Sequence, residues 1–359
     1  MPDLTTRYLG LPLKNPIVPS STPLTRDADA PLHLEDAGAA AIVMHSLFEE
    51  DVRNDERMFD RFLIHPEAFG EASGHLPARR DYESRLDRYL AKIQHLKSRL
   101  GIPLVASLNG DSLSGWVELG RELEAAGADA LELNAWHLPG SPDETGSAVE
   151  ERYIALLGEL KAVVGIPICL KLSPFFSALP HFVSRAEAAG AAGVSLFNRF
   201  FQPDIDLETL TVVDRVQLST SADTLLAMRW IAILRGQTPL TLAASGGIHT
   251  AHDALKMLLA GADVTHVASS ILLQGPTVIT RMLDDLEHWL VEGEYTSITQ
   301  LKGSMSQRNH PNPAAFARSA YLSAIDTFTP PPRRPLLRDR AKSPLPPGFS
   351  ATRQRPAAR

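Results

Sequence analysis

The chain has 359 residues, of which 44% are hydrophobic and 21% are charged, as in ordinary folded enzymes and unlike disordered or fibrous chains. Its one cysteine, Cys169, excludes a disulfide within the chain and a cysteine cluster for zinc or iron–sulfur. Because it begins with polar residues and contains no apolar run of membrane-spanning length, we expect a cytoplasmic protein with no signal peptide and no membrane partner.

Apolar strands alternate with amphipathic helices along most of the chain, after a short hairpin in which Leu4–Tyr8 and Leu11–Leu13 flank Gly10. Most of these helices stop at a glycine, the residue that favours a helix C-cap. The predicted strands are Pro16–Pro19, Ala41–His45, Leu104–Leu108, Ala130–Leu133, Pro167–Leu172, Gly193–Phe197, Leu240–Ala244 and Val264–Ala268. The predicted helices are Pro31–Asp36, Tyr82–Leu100, Ser114–Ala126, Ala148–Val164, Ala178–Ala189, Thr224–Leu234, Ala251–Leu259 and Val278–Leu290. Two stretches, Phe48–Arg80 and Phe200–Ser221, are polar and irregular.

Eight strands that alternate with helices indicate βαβ units and a parallel sheet. Eight units in about 270 residues fit a (β/α)8 TIM barrel, whose usual length is about 250 residues. A doubly wound open sheet is the alternative, because a count of strands does not establish closure. We therefore predict an α/β TIM barrel preceded by a hairpin, with C-terminal helices at Ser297–Lys302 and Pro313–Asp326 packed outside it.

The end of the chain is basic. Thr329–Arg359 contains eight Lys or Arg residues and one Asp, a charge of +7, although the whole chain carries −7. This segment is rich in Pro and Arg and has no periodicity, which predicts disorder. We therefore expect a barrel domain over residues 1–328 and a basic tail over 329–359. A basic tail can bind nucleic acid, but a solvated terminus is commoner, and we expect no nucleic-acid partner.

One cation interrupts the apolar strand that reads IPICLKL. Burying the ammonium of Lys171 is costly unless it meets an anion or has a shifted pKa, and Pro174 ends the strand just beyond it. Active sites of parallel α/β folds lie at such strand ends, so we predict that Lys171 is functional. The alternative is a lysine whose charged end reaches solvent.

The other predicted strands also end in polar or small residues. Each is a common turn residue by itself, but in a barrel all of them would face one rim. They are Ser20–Ser21, Asn109, Asn134, Asn198, Gly246–Gly247 and Ser269–Ser270. The last two pairs predict a phosphate site, and the amides suit a flat heterocycle. With a positive charge at Lys171, this pattern describes a phosphorylated, planar, redox-active ligand such as FMN.

Taken in order, the motifs resemble the dihydroorotate dehydrogenase family of FMN-binding barrels, and most of all its dihydroorotate dehydrogenase-like branch. They are NPIVPSSTP (Asn15–Pro23), SLNG (Ser107–Gly110), LELN (Leu131–Asn134), KLSP (Lys171–Pro174), LFN (Leu196–Asn198), SGGI (Ser245–Ile248) and GADVTHVASS (Gly261–Ser270). The resemblance implies that FMN is bound by Ser20, Ser21, Ser46, Asn109, Asn134, Lys171, Asn198, Gly246, Gly247, Ser269 and Ser270. It implies that Lys171 is catalytic and that Asn198 faces the substrate.

The chain also departs from the family's pattern. His45 replaces the family's first catalytic lysine, and the loop after Asn134 lacks the family's Cys or Ser base, so His137 is the nearest candidate base. Arg199 stands where the family has Ser or Thr and could pair with a carboxylate. Residues 48–80 lack the family's asparagine-rich substrate motif. We therefore predict a substrate site formed by His45, Asn134, Asn198 and Arg199 and leave the substrate open.

The sequence predicts an FMN-dependent oxidoreductase that moves a hydride between the flavin and a small carboxylated CH–CH or C=C substrate. The resemblance implies pyrimidine biosynthesis and a homodimer, and an electron-transfer partner protein would have to supply any iron–sulfur relay. We expect no metal. Three alternatives stay open: a dihydroorotate dehydrogenase with an altered base, a flavin-binding partner subunit without turnover of its own, and a phosphate-binding barrel lyase with Lys171 as Schiff-base amine.

Overall fold

The computed structural model describes residues 1–59, 84–110, 116–135, 137–199, 202–214 and 216–329. The chain divides into two compact units, Met1–Phe316 and Ala317–Arg359. The predicted disordered tail lies outside the described residues, apart from its first residue, and so does most of the stretch 48–80.

The strands of the described residues form two hairpins and one large sheet. In chain order they are β1 (Thr6–Tyr8), β2 (Leu11–Leu13), β3 (Ile17–Pro19), β4 (Ile42–Phe48), β5 (Leu104–Gly110), β6 (Ala130–Ala135), β7 (Ile168–Leu172), β8 (Gly193–Leu196), β9 (Asp204–Asp206), β10 (Thr211–Val213), β11 (Thr241–Ser245) and β12 (Val264–Val267). The large sheet is parallel and has the order β3-β12-β11-β8-β7-β6-β5-β4. Its two ends meet where Ala40 N–H donates to the Ile17 carbonyl at 3.0 Å. The predicted (β/α)8 barrel is confirmed.

Helices follow the strands as the βαβ pattern predicts. They are α1 (Ala30–Asp36), α2 (Glu49–Phe59), α3 (Arg85–Lys97), α4 (Trp116–Ala125), α5 (Gly146–Lys161), α6 (Leu179–Ala188), α7 (Thr224–Leu234), α8 (Ala251–Ala260), α9 (Ser269–Gln274), α10 (Thr277–Glu292), α11 (Ile298–Leu301) and α12 (Arg318–Asp326). Side-chain caps define several starts: Ser84 forms a capping box with Asp87, and Thr250 forms one with Asp253. Gly261, at φ 127°, ends α8.

The hairpin β1–β2 closes the end of the barrel at which the strands begin. Tyr8 and Leu13 are buried in one cluster with small apolar strand residues such as Val105 and Ala130. Leu9 N–H donates to the Thr241 hydroxyl at 3.1 Å, which fixes the hairpin to the start of β11. Because the hairpin covers this end, we expect a ligand to enter near the carboxyl ends of the strands.

Two elements occur where the sequence indicated irregular structure. Helix α2 begins with three acidic residues, which interact favourably with the positive end of a helix, and its Glu49 accepts a hydrogen bond from Trp116 Nε1 at 3.1 Å. The hairpin β9–β10 turns at Asp206, whose carboxylate accepts from the backbone N–H groups of Glu208 and Thr209. The sequence did not predict this helix or this hairpin, because their stabilising contacts come from polar side chains and not from a regular spacing of apolar residues.

None of the helices in the described ranges combines the length and the apolar character needed to cross a bilayer. The same residues include no group of three or more His, Cys, Asp or Glu side chains arranged to hold a metal ion.

Candidate functional site

Two cavities lie side by side at the carboxyl ends of the strands, and Ser21, Lys171 and Asn198 line both. The asparagine cavity, about 280 Å³, is also lined by Asn109 and Asn134. The glycine cavity, about 120 Å³, is also lined by Ser20, Arg199, Gly246, Gly247, His266 and Ser269. The barrel rim therefore gathers nearly all the residues that the sequence placed in the site.

Lys171 lies on β7 at the junction of the two cavities, and its charge is balanced by a carboxylate. Its Nζ donates to Glu132 Oε1 on the neighbouring strand β6 at 3.1 Å. The two side chains are 7% and 0% exposed. The ammonium is therefore held in place, and the alternative of a lysine that reaches solvent does not describe it.

A line of hydroxyl groups continues from this ion pair across the barrel. Ser107 Oγ donates to Glu132 Oε1 at 3.4 Å, and it lies 2.9 Å from Ser46 Oγ. Ser46 Oγ in turn lies 3.3 Å from Ser21 Oγ, at the wall shared by the cavities. The strands bring these residues together because β4, β5 and β6 are neighbours, with Ser46 paired to Ser107 and Ser107 to Glu132.

The amide groups of the asparagine cavity are ordered by neighbouring strands. Asn109 and Asn134 are register partners at the ends of β5 and β6, and both are largely buried. Asn198 Nδ2 donates to Asn134 Oδ1 at 2.9 Å. This bond fixes the orientation of the two amides, so they can present defined donors and acceptors to a planar ligand.

The glycine cavity has a wall of backbone. Gly246 and Gly247 have φ values of 96° and 78°, and a Cβ on Gly247 would lie 2.6 Å from the backbone nitrogen of Thr224. The N–H groups of these glycines donate to no other described residue. Ser269 Oγ accepts from the hydroxyl of Ser219 at 2.8 Å. The cavity therefore offers free backbone donors in a space that larger residues would fill.

Ser270, predicted to bind phosphate, and Arg199, predicted to bind substrate, each have another contact. The hydroxyl of Ser270 donates to the Ile248 carbonyl at 3.1 Å, and Ser270 is not among the described residues that line the glycine cavity. Arg199 does line it, with Nη1 3.8 Å from Asp223 Oδ2. Arg199 thus lines the glycine cavity together with Asn198, and it is not among the described residues that line the asparagine cavity.

His45 lines the asparagine cavity because β4 is irregular there. The register between β4 and β5 shifts between Val43 and Ser46, which is a bulge, a feature that re-aims side chains. Tyr89 bridges the bulge: its hydroxyl donates to the His45 carbonyl at 2.9 Å and accepts from Ser107 N–H at 3.2 Å. Burial, with the charges of Lys92 and Arg26, lowers the pKa of His45 to about 4.

The tautomer of His45 follows from its contacts. Nδ1 lies 3.2 Å from the Thr25 carbonyl, and since a carbonyl only accepts, Nδ1 carries the proton. The ring hydrogen-bond contacts of His45 with other described residues all involve Nδ1, so Nε2 can accept a hydrogen bond or a proton from a ligand. His45 is therefore a neutral acceptor at the wall of the asparagine cavity.

His137, the candidate base in the sequence, lies elsewhere. Its Nε2 is 2.6 Å from Glu144 Oε1, and its Nδ1 is 3.3 Å from Arg152 Nη1. Neither cavity includes it among its described lining residues. Both ring nitrogens are thus engaged, away from the other site residues.

The sequence missed several residues that the structure places at the site. Glu132 and His266 are fully buried and face each other, with Nδ1 of His266 3.9 Å from Oε2 of Glu132. Burial lowers the pKa of His266 to about 4, and its Nε2 has no partner within the part of the chain that the structure describes. Both residues stand inside apolar strands, so the argument that identified Lys171 could have identified them. Arg26, on the loop before α1, gave no such signal.

A family model described as dihydroorotate dehydrogenase matches residues 65–290. The chain belongs to the dihydroorotate dehydrogenase family. A "Dihydroorotate dehydrogenase B (NAD(+)), catalytic subunit" from Thermoplasma acidophilum is 26% identical over 84% of this chain and 99% of its own length. Another of that name from Shouchella clausii is 32% identical over 56% of this chain and 68% of its own length. The "NAD-dependent dihydropyrimidine dehydrogenase subunit PreA" of Escherichia coli K12 is 25% identical over 84% of this chain and 76% of its own length.

Membership of this family makes the chain an oxidoreductase of the dihydroorotate dehydrogenase-like type, which acts on CH–CH groups. The relatives named as subunits extend over most of this chain.

Proposed function

We propose that the chain binds FMN in the joined cavities and moves a hydride between the flavin and a small carboxylated CH–CH or C=C substrate. The observation that carries this proposal is the meeting of two unlike cavities at Lys171: one offers free backbone N–H groups, and the other offers oriented amides. A phosphate at the first and a planar ring at the second match the two halves of FMN.

The residues present fit this cofactor. The N–H groups of Gly246 and Gly247 have no acceptor among the described residues, which suits them to phosphate oxygens, and a Cβ on Gly246 would project into open space that a ligand could occupy. His266 lines the same cavity with a buried, unpartnered Nε2. A buried polar atom without a partner is costly, and a ligand polar group would satisfy it.

FMN, when bound, would supply the site that accepts or gives the hydride, and the chain's own side chains would handle charge and protons. Lys171 would hold a positive charge at the ring, where it would offset negative charge on the reduced cofactor. Glu132 would fix the direction of the ammonium and, with it, the position of the charge. Asn109, Asn134 and Asn198 would orient the ring or substrate through their amides.

We propose that His45, rather than His137, exchanges the proton that accompanies hydride transfer. Nε2 of His45 is a free acceptor at the asparagine cavity, whereas both ring nitrogens of His137 have partners. A base with a pKa of about 4 is weak, but a bound carboxylate would oppose the charges of Arg26 and Lys92 and raise that pKa. Substrate binding would thus activate the base.

A partner protein has support in the names of the three relatives, all of which are named as subunits, but two of them are named catalytic subunits and so give no support to a chain without turnover of its own. We propose that this chain likewise passes electrons to a partner protein. The lyase alternative has less support, because Nζ of Lys171 is held 3.1 Å from Glu132 Oε1 and would have to leave that contact to attack a carbonyl carbon.

The relatives' names also make reduced pyrimidines the first substrates to test. Anaerobic protein should be mixed with dihydroorotate and, separately, with 5,6-dihydrouracil, which lacks the carboxylate. We expect the flavin absorbance to bleach, and faster with dihydroorotate. Equal rates would contradict a carboxylate-binding site. A yellow protein that neither compound bleaches would contradict a reduced-pyrimidine substrate.

A further inference from the structure

A third cavity adjoins the asparagine cavity on its outer side and has a volume of about 660 Å³. Arg26, His45 and Ser46 line both. Helix α3 supplies Arg85, Arg88 and Lys92 to its wall. We call it the basic cavity. A ligand in the asparagine cavity could therefore extend into it past Arg26 and His45.

The positive charge of the basic cavity is only partly balanced. Arg85 pairs with Asp51 and lies 3.8 Å from Asp55. Arg26, Arg88 and Lys92 form no ion pair with another residue in the described ranges. The nearby acid Asp27 is itself engaged, since its carboxylate accepts from the backbone N–H groups of Asp29 and Ala30.

These three cations are held close together. Lys92 Nζ donates to the backbone carbonyl of Arg26, so the charged end of Lys92 lies beside the residue from which the Arg26 side chain extends. Arg88 and Lys92 are four residues apart on α3 and therefore share one face of it. Burial and the charge of Arg26 lower the pKa of Lys92, although Asp27 opposes them. Like charges gathered at a cavity wall repel one another, and a bound anion relieves that repulsion.

We propose that the basic cavity is an anion subsite for the end of the substrate remote from the reacting bond. On this reading, which rests on the proposed function, the substrate carries at least two acidic groups. One lies near His45 and Arg26, and the other lies against Arg88 and Lys92. Each acidic group is a carboxylate or a phosphoryl group, so dihydroorotate, a single ring with one carboxylate, would react in the asparagine cavity but leave the basic cavity unfilled.

The test uses two planar probes that differ in charge, benzoate and benzene-1,3,5-tricarboxylate. Their dissociation constants for the purified protein are measured by isothermal titration calorimetry at about 0.15 M ionic strength, where distant surface charges are screened. We expect the tricarboxylate to bind about tenfold or more tightly than benzoate. Lys92→Gln and Arg88→Gln should each weaken tricarboxylate binding about fivefold or more and leave benzoate binding unchanged.

Arg121→Gln is the matched control, because Arg121 is exposed and is not among the lining residues described for the basic cavity. It should change neither constant. Equal affinity of the wild-type protein for the two probes, or equal weakening in all three variants, would overturn the subsite. Circular dichroism checks that each variant is folded.

Flavin content, read from the visible spectrum of the same samples, keeps the two proposals apart. A protein that stays free of flavin even after addition of FMN, but still prefers the tricarboxylate, would retain the subsite and lose the proposed cofactor. A yellow protein without that preference would lose the subsite alone. A carboxylated substrate would then be bound by the asparagine cavity and Arg26 only. Phosphate titrated in place of the tricarboxylate distinguishes a phosphoryl from a carboxylate preference.

Discussion

Nζ of Lys171 lies 3.1 Å from Oε1 of Glu132, and the pair is almost completely buried at the junction of the two cavities. Removing one member of such a pair leaves an uncompensated buried charge, which typically costs about 3–5 kcal/mol, whereas removing both costs less. Stability and catalysis are thus coupled at this pair, and variants can separate them.

A double-mutant cycle of Lys171→Met and Glu132→Gln tests the ion pair. We expect each single variant to lower the free energy of unfolding by about 3 kcal/mol, and the double variant to lower it by less than the sum. Urea denaturation measures the three values. Glu118→Gln, at an exposed position on α4, is the control and should change stability by less than about 0.5 kcal/mol. Strict additivity would show that the two side chains do not interact.

The same double variant should remain inactive even where its stability recovers. If Lys171 stabilises charge on the reduced flavin, its removal should slow flavin reduction by about 100-fold or more. Anaerobic stopped-flow absorbance measures the rate at saturating substrate. A double variant with the wild-type rate would leave Lys171 with a structural role only.

Replacing His45 and replacing His137 should have opposite effects on activity. His45→Gln should lower kcat/KM by about 100-fold, the usual contribution of a positioned base, and should remove the acidic limb of the pH profile. His137→Gln should leave both nearly unchanged, because that ring contacts Glu144 and Arg152. If His137→Gln gave the larger loss, the original sequence prediction would hold and His45 would be a binding residue.

Stability should fall as the pH is lowered from about 6.5 to about 4. The pKa of His266 is depressed in the folded protein by burial, so the unfolded chain binds its proton first, and the folded state loses stability across that window. Because the pKa of His266 falls from 6.5 to about 4 on folding, protonation of this residue lowers the free energy of unfolding by about 3 kcal/mol. Urea denaturation at pH 7 and pH 4.5 measures it. His266→Gln should remove the share of this residue and leave that of His45, whose pKa is also lowered to about 4, whereas replacement of the exposed His95 by Gln should not change the dependence.

We expect the absence of a side chain at Gly247, in the backbone wall of the glycine cavity, to be required for FMN binding. An alanine there would lie 2.6 Å from the Thr224 nitrogen at a φ of 78°, which alanine disfavours. Gly247→Ala should weaken FMN binding at least tenfold, as measured by fluorescence quenching of the titrated cofactor. Gly10→Ala is the control, since it has a similar φ of 83° in the distant hairpin and no close neighbour. An equal loss of FMN affinity in the Gly247→Ala and Gly10→Ala variants would indicate general backbone strain and contradict a specific role of Gly247.

The sequence predicted the barrel well because its signal is local. Strand and helix periods recur eight times, and Pro174 and the glycines mark the ends of elements. Lys171 was identifiable because a charge in an apolar strand is rare. Glu132 is likewise a charge in an apolar strand, but the prediction from Leu131–Asn134 rested on Asn134 alone.

Other features depend on contacts between distant residues. The bulge that directs His45 into the asparagine cavity requires the pairing of β4 with β5 and the hydroxyl of Tyr89, which is 44 residues away. The engagement of His137 depends on side chains of the following loop and helix, Glu144 and Arg152. The cations of the basic cavity come from separate elements. In the sequence they look like ordinary surface residues, and only the packing of α3 against the segment of Arg26 brings them together.

The cofactor content of the purified protein tests the central claim most directly. The visible spectrum, followed by acid release and quantification of the flavin, gives the molar ratio of FMN to chain. The account predicts a yellow protein with a ratio near one, or a colourless one that regains that ratio on addition of FMN, and loss of binding in Gly247→Ala. A chain that takes up no FMN under either condition would contradict it.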